Sequence, residues 1–285
     1  MKKIITLALT LCSLLSFSQK KFEGKATYMS KTTVDMSRFG KQVSEQQKKQ
    51  WMARMKNFLE KTYTLSFNQS ESSFKENIKL DAPGAQGFSW GRSNGQGSIY
   101  KNLKEKKMIE DTEQFSKRFR VIEDMQLPQW EMTGETKQVG QYTAYKATMV
   151  KVDKSIDWGR MFSRRGKKGN NEKKDSTKTK ESTNEPKKEE GRELIITAWY
   201  TPQIPVSAGP SVYWGLPGLI LELNAGRTTM LCTEIVINPE EAIEIKKPNK
   251  GEEISRDNYN KTMKEKAEEM RERFRNRRGS RGRRF

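Results

Sequence analysis

The chain of 285 residues contains no histidine. That absence removes Ser-His-Asp and Cys-His catalysis, and every zinc, copper or iron site that needs an imidazole ligand. Cysteine is nearly missing as well, with only Cys12 and Cys232. Cys12 lies in an apolar N-terminal run, so a chain trimmed after that run keeps one thiol and cannot close an intramolecular disulfide. A zinc site built of cysteines goes with it. Carboxylate-bound Ca²⁺ or Mg²⁺ stays open, but no D-x-D-x-D-G pattern occurs, so no cofactor and no metal are assigned. Apolar residues are scarce, at 33%, against 32% charged residues and a formal net charge of +19. An average globular domain is more apolar and less charged. The expectation is a modest core with solvated appendages. Beyond the N-terminus no run approaches the roughly 18 apolar residues of a membrane-spanning helix, so the mature chain is not expected to cross a bilayer.

The N-terminus itself reads "MKKIITLALTLCSLLSFSQKKFEG". Lys2 and Lys3 form a basic region, Ile4 to Phe17 an apolar one, and Ser16 and Ser18 are small residues at the −3 and −1 positions of a cleavage site. Residues 1–18 therefore read as a secretory signal peptide, cut between Ser18 and Gln19. A lipoprotein signal on Cys12 is the rival, weakened by Leu11 where a small residue is needed. Export implies a periplasmic or secreted location and argues against a nucleic-acid partner. Cys232 sits in the apolar stretch "TTMLCTEIVI", where a buried, inert thiol is favoured over a reactive one.

Two segments hold much of the charge. Residues 163–192 carry eleven Lys/Arg against six Asp/Glu, a net of +5, with no aliphatic or aromatic residue. Such a segment cannot bury enough apolar surface to offset chain entropy and is expected to be disordered. Residues 271–285 carry eight arginines against one glutamate, a net of +7. Between them lies one expected domain, residues 19–255, interrupted by the basic insert. Residues 256–285 form a basic tail, helical or disordered, in which Tyr259, Met263, Met270 and Phe274 give a sparse apolar face.

Helical signals are strong early. Ser44 and Gln47 stand in a capping-box arrangement. Trp51, Met52, Met55, Phe58 and Leu59 then mark one face of a helix. Core packing is the expected use of that face, a ligand groove the alternative. Elsewhere the pattern is of strands: "TYTLSFN" alternates Tyr63, Leu65 and Phe67 with threonine and serine, and "RFRVIED", "WEMTGETKQV", "YTAYKATMV" and "LIITAWYT" are rich in β-branched and aromatic residues. Strands that follow one another without long intervening helices favour an antiparallel meander. The expected fold is mainly β, an α+β arrangement with a curved antiparallel sheet or half-barrel, one early amphipathic helix and a polar C-terminal helix. The piece "PGAQGFSWGRSNGQGS", residues 83–98, reads as a flexible loop with no phosphate-binding context.

The stretch "SAGPSVYWGLPGLILELNAG", residues 207–226, is the most concentrated in glycine, proline and aromatics. Leu216-Pro217-Gly218-Leu219 has the proline and glycine placement of a type II turn, with a positive φ at Gly218. Leu219, Leu221 and Leu223 then alternate along a strand, with Glu222 facing solvent. Asn224-Ala225-Gly226 predicts a three-residue hairpin loop with glycine left-handed. A loop and a core hairpin account for the whole run without any catalytic role.

The same residues carry a resemblance. Gly215 to Ile220 spells the hexapeptide of the GLPGLI family of secreted proteins, found largely in Bacteroidetes. Ala198 to Pro210, "GQYTAYKATM" at Gly140 to Met149, and "GKATY" at Gly24 to Tyr28 are similar to other segments of that family. One departure is Ala144, where many members have cysteine. The resemblance implies an exported cell-envelope protein of unassigned biochemical activity, often encoded beside TonB-dependent outer-membrane receptors. The residues it singles out are Trp214, Gly215, Leu216, Pro217, Gly218, Leu219 and Ile220, with Tyr200, Pro202 and Pro210 nearby. Fixing the loop is their expected role and binding the alternative.

Three uses follow. The first is a non-enzymatic protein that binds an envelope protein partner or an apolar ligand, with a lipid or lipoprotein carrier as a variant by analogy of fold. The second is a carboxylate-dependent hydrolase drawing on Glu110, Asp111, Glu123, Asp124 or Glu222, less favoured because nothing in their spacing makes two of them converge. The third is contact of the arginine-rich tail with anionic lipid or lipopolysaccharide.

Overall fold

Alternation of apolar and polar residues governs most of the chain. The computed structural model describes residues 22–34, 44–78, 97–153 and 192–281. Among them are β1 (Glu23–Thr32), α1 (Glu45–Leu59), β2 (Glu60–Asn68), β3 (Glu71–Glu76), β4 (Ile99–Asn102), β5 (Lys107–Gln114) and β6 (Lys117–Asp124). Then come β7 (Glu131–Val139), β8 (Tyr142–Asp153), β9 (Arg192–Thr201), β10 (Leu219–Ala225), β11 (Thr228–Ile237), β12 (Glu252–Ser255) and α2 (Arg256–Arg281). The protein is mainly β: twelve strands form one large, open, curved sheet. The expected succession of strands and their antiparallel arrangement are borne out.

The strand order is β12-β6-β5-β4-β3-β2-β1-β11-β10-β9-β8-β7. It is two meanders, β2 to β6 and β7 to β11, and β1 lies between β2 and β11 and joins them. One face of the sheet is the core. Ala26 and Tyr28 on β1, Tyr63, Leu65 and Phe67 on β2, Phe74 on β3, and Ile196, Ala198 and Tyr200 on β9 are buried, every second residue as a pleated strand requires. Phe74 stacks on Tyr63, with ring centroids 4.8 Å apart, and meets Tyr28 edge-on at 6.1 Å. Each such side chain contributes about 1.5–3 kcal/mol by leaving water.

The early helix forms where its cap predicts. Ser44 Oγ accepts from the Gln47 backbone N–H, and the Gln47 side chain accepts from the Ser44 N–H. Its apolar face departs from expectation. No residue of α1 is buried; Trp51, Met55 and Leu59 are half-buried, and Met52 and Phe58 are exposed. Its main neighbours are β2, into which it runs directly, and β1. Contact with these two strands leaves the stripe from Trp51 to Leu59, about two and a half turns, short of burial.

The chain divides into two compact units, Met1–Met149 with Ile196–Glu253, and Val150–Ile195 with Ile254–Phe285. The first contains the core just described. The second contains α2, polar along most of its length as the sequence implies, with Met263 and Ala267 buried four residues apart. No helix among the described residues is long and apolar enough to cross a membrane. The signal peptide with Ser18 and Gln19, the glycine-rich loop up to residue 96 and the basic insert up to residue 191 lie outside the described residues.

Candidate functional site

The connection between β9 and β10, residues 202–218, carries the first four residues of the conspicuous hexapeptide, whose last two open β10, and the core face of the sheet receives it. Its apolar residues Ile204, Val206, Ala208 and Leu216 are buried. Short backbone bonds tie it to itself: Val206 N donates to Ile204 O and Ala208 N to Val206 O, each at 2.8 Å. Two more bonds seat it against β10, from Leu219 N to Ile204 O and from Ile220 N to Ala208 O, each at 3.1 Å. Tyr28 on β1 donates its hydroxyl to Ile220 O at 2.5 Å. Burial holds the Tyr28 phenol well above its ordinary pKa, so it stays a donor at any physiological pH.

The far anchor is Lys101 on β4, with four strands between it and β10 in the sheet order. Its side chain is 1% exposed. The ammonium donates to Gly209 O at 3.0 Å, Ser211 O at 2.8 Å and Tyr213 O at 3.0 Å. Three N–H groups meet three carbonyls, which is the full donor capacity of a lysine. Ser211 adopts a left-handed φ of 53° at the centre of this arc. Burial pulls the Lys101 pKa down to about 7, because the charge is desolvated.

The hexapeptide is placed by space as much as by turn chemistry. Gly215, not Gly218, takes the positive φ, at 93°. Its N–H donates to Ser207 Oγ at 3.0 Å, and a Cβ there would come within 2.8 Å of Pro128 Cδ. Gly218 has no left-handed φ, so the type II turn expected at residues 216–219 does not form. Glycine is needed there because a Cβ would lie 2.1 Å from Thr201 O. Leu216, Gly218, Leu219 and Ile220 are buried, while Pro217 is exposed. Trp214 is half-buried and its carbonyl accepts from Trp130 Nε1 at 2.8 Å. Pro202 is exposed at the start of the connection, and Pro210 is buried and accepts from Tyr213 N at 3.2 Å. Tyr200 is buried, lies 6.1 Å from the Tyr145 ring, and points its hydroxyl at Met132 Sδ. Its pKa is raised, first by burial.

Around Gly215 the structure gathers residues that sequence reasoning missed. Leu127, 71% exposed, comes within 3.5 Å of the Gly215 Cβ position, next to Pro128. With Trp130 and Trp214 they make an apolar rim. Nothing local to residues 127–130 marks them, because their partner is some 85 residues downstream. Lys101 was equally hidden: a lysine in a four-residue strand reads as a solvent-facing residue.

The carboxylates proposed for catalysis are dispersed. Asp111 is bound through both oxygens by Arg118, and Asp124 by Lys107. Glu222 is not the solvent-facing residue expected. It is half-buried, its Oε2 lies 2.5 Å from Lys137 Nζ, and it accepts from Asn224. The same Lys137 ammonium sits 4.2 Å from the centroid of Trp199. A register shift between Ile220 and Glu222 in the pairing with β9 puts Glu222 opposite Trp199. Five strands separate β10 from β5 in the sheet order, and Glu222 and Asp111 are each taken up by a cation of their own, Lys137 and Arg118. The hairpin after β10 is tighter than expected: Ala225 pairs with Thr228, leaving Gly226 and Arg227 as the loop, with Gly226 left-handed at φ 60° as foreseen. Cys232 is half-buried, where a buried thiol was expected, but its pKa is pushed up to about 12, first by desolvation, which agrees with an inert thiol. Ala144 is fully buried.

What these features define is a mainly β protein with an open curved sheet and a loop pinned across its core face. Residues 130–222 match a family model described as Porph_ging, a protein of unknown function. That span runs from Trp130, which binds the Trp214 carbonyl, to Glu222, which binds Lys137. No curated protein matches the chain. Two solved structures of PNGF-II, in space groups P21 and C2, are similar at 15% and 14% identity, with TM-scores of 0.44 and 0.47. They cover 84% and 86% of this chain, which spans about a third of the length of theirs, 32% and 33%.

Proposed function

We propose that this chain is an exported, non-enzymatic protein of the bacterial cell envelope, of GLPGLI type, that acts by binding. Its partner is an envelope protein of the TonB-dependent receptor system, and an apolar ligand is the alternative occupant. The observation that carries this is the use made of the hexapeptide. Four of its six residues are buried, and both glycines are required by close approach of backbone or proline. The stretch shapes a surface and brings no reactive group to it. Beside it stand exposed Leu127 and half-buried Pro128, Trp130 and Trp214, and a partly open apolar rim of this kind, rich in tryptophan, suits a protein contact. The signal-like N-terminus supports export, and the arginine-rich tail would meet anionic lipid or lipopolysaccharide there.

Cross-linking and pull-down from intact envelopes tests the reading. The full chain should capture an outer-membrane receptor, and L127D with W214A should lose it while keeping the far-UV spectrum of the parent. Equal capture by the variant, or capture of no envelope protein at all, would remove the proposal. Native mass spectrometry with solvent extraction of the purified chain examines the apolar-ligand alternative, which fails if no lipid or acyl probe is found bound.

A further inference from the structure

We propose that α1 is an interfacial helix that lies on an anionic lipid surface, independently of the arginine-rich tail. At about 100° per residue, Trp51, Met55 and Leu59 form the middle of a stripe, and Phe58 and Met52 its two margins. None of these five is buried. Phe58 is 39% exposed and Met52 40%. The half-buried middle line turns towards the protein and the margins stay open to a second phase.

The cations are placed to match. Arg54 falls on one side of the stripe and Lys56 with Lys49 on the other, each roughly 100° or more from its centre. Long basic side chains at that angle reach a headgroup layer while their stems cover apolar surface. The acidic count of α1 is one, Glu45, and Lys48 neutralises it at 2.5 Å. Lys56 lies 3.9 Å from Glu60, beyond the helix end. Among the described residues no carboxylate pairs with Lys49 or Arg54. A helix with aromatic and methionine side chains on one face and uncompensated lysine and arginine at its flanks fits the boundary of an anionic bilayer. A protein groove would have to be acidic along both walls to match the same pattern. The lipid surface supplies that symmetry by itself.

Flotation of the full chain with vesicles of phosphatidylglycerol and phosphatidylethanolamine, beside vesicles of phosphatidylcholine alone, tests this. The reference is a full-length chain whose eight tail arginines are changed to glutamine, so that the tail does not contribute. That chain should still float with the anionic vesicles and float poorly with phosphatidylcholine. M52S with F58S, placed in the same background, leaves the charge unchanged and should weaken partitioning by about tenfold or more, since each methylene withdrawn from the interface is worth ~0.8 kcal/mol. R54Q with K56Q should reduce binding at low salt and leave the residual binding at high salt in place. Binding of the M52S/F58S chain at the parent level overturns the inference, as does absence of flotation by the tail-neutralised chain. Neither outcome touches the receptor reading, which rests on the rim beside Gly215.

Discussion

At the scale of single residues, Gly134 and Gly218 make opposite demands. Gly134, on β7, has φ 77° and nothing within 4 Å of where a Cβ would stand. Gly218 has ordinary φ and a backbone oxygen 2.1 Å away. G134A therefore costs only the left-handed backbone, about 1–2 kcal/mol, while G218A must push β9 and the loop apart, at the upper end of the roughly 1–3 kcal/mol typical of overpacking or beyond it. Urea denaturation of the two variants should rank them in that order, and a G218A chain as stable as G134A would show that the contact yields. Lys101 adds a dependence on pH. Its pKa is about 7 in the fold and near the ordinary lysine value of 10.5 when unfolded. Between those values the unfolded chain holds the extra proton, so stability rises with pH across the window and levels off below about 7. The slope contributed is at most about 1.4 kcal/mol per pH unit. K101M should flatten it, while leaving three carbonyls of the loop without their donor. Denaturation of both chains at pH 7, 8 and 9 reads the difference directly, and parallel curves would mean that Lys101 keeps its ordinary pKa.

At the scale of elements, β1 is the seam of the sheet. It is paired on both sides, to β2 over Glu23–Lys31 and to β11 over Gly24–Thr32. Among the described residues β7 is paired only with β8, and that pairing slips between Met132 and Thr136. Amide exchange should therefore be slowest along β1 and β11 and fastest along β7, because no strand among the described residues pairs with its outer edge. Protection of β7 equal to that of β1 would point to a strand or partner covering the edge. The position of β1 also marks where sequence reading stops. Tyr63, Leu65 and Phe67 announce a strand by their alternation, and Ser44 with Gln47 announce a helix start, because each signal is complete within a few residues. That β1 sits beside β11 depends on contacts more than 190 residues apart, which no local pattern encodes. The hexapeptide shows the same limit from the other side. Pro217-Gly218 satisfies the local rule for a type II turn, but Thr201 O and the seating of Leu219 and Ile220 decide the backbone instead. The apolar stripe of α1 was legible as a stripe. Its lack of a covering layer was not, since that depends on where the rest of the chain goes.

At the scale of the whole molecule, charge is the property that remains to be explained. The formal net charge is +19, of which the basic insert contributes +5 and the final fifteen residues +7. Along the described strands the charges are largely paired, as in Lys61 with Glu76, Arg120 with Glu253 and Lys146 with Glu135. The surplus therefore belongs to segments outside the sheet, and its effect should be one of attraction to a surface, with little bearing on the fold. Near an anionic membrane each arginine contributes about 1 kcal/mol, falling away within a Debye length of roughly 10 Å at 0.1 M salt. Changing the eight tail arginines to glutamine in the full chain should lower co-sedimentation with phosphatidylglycerol vesicles at low salt. In about 0.5 M salt, where screening acts within a few ångströms, parent and variant should converge. Thermal unfolding of the two should coincide, because the core strands and their anchors are untouched. Unchanged sedimentation at low salt would assign the surface attraction to other basic segments, and a gap that survived high salt would mean that the tail contributes apolar contact as well as charge.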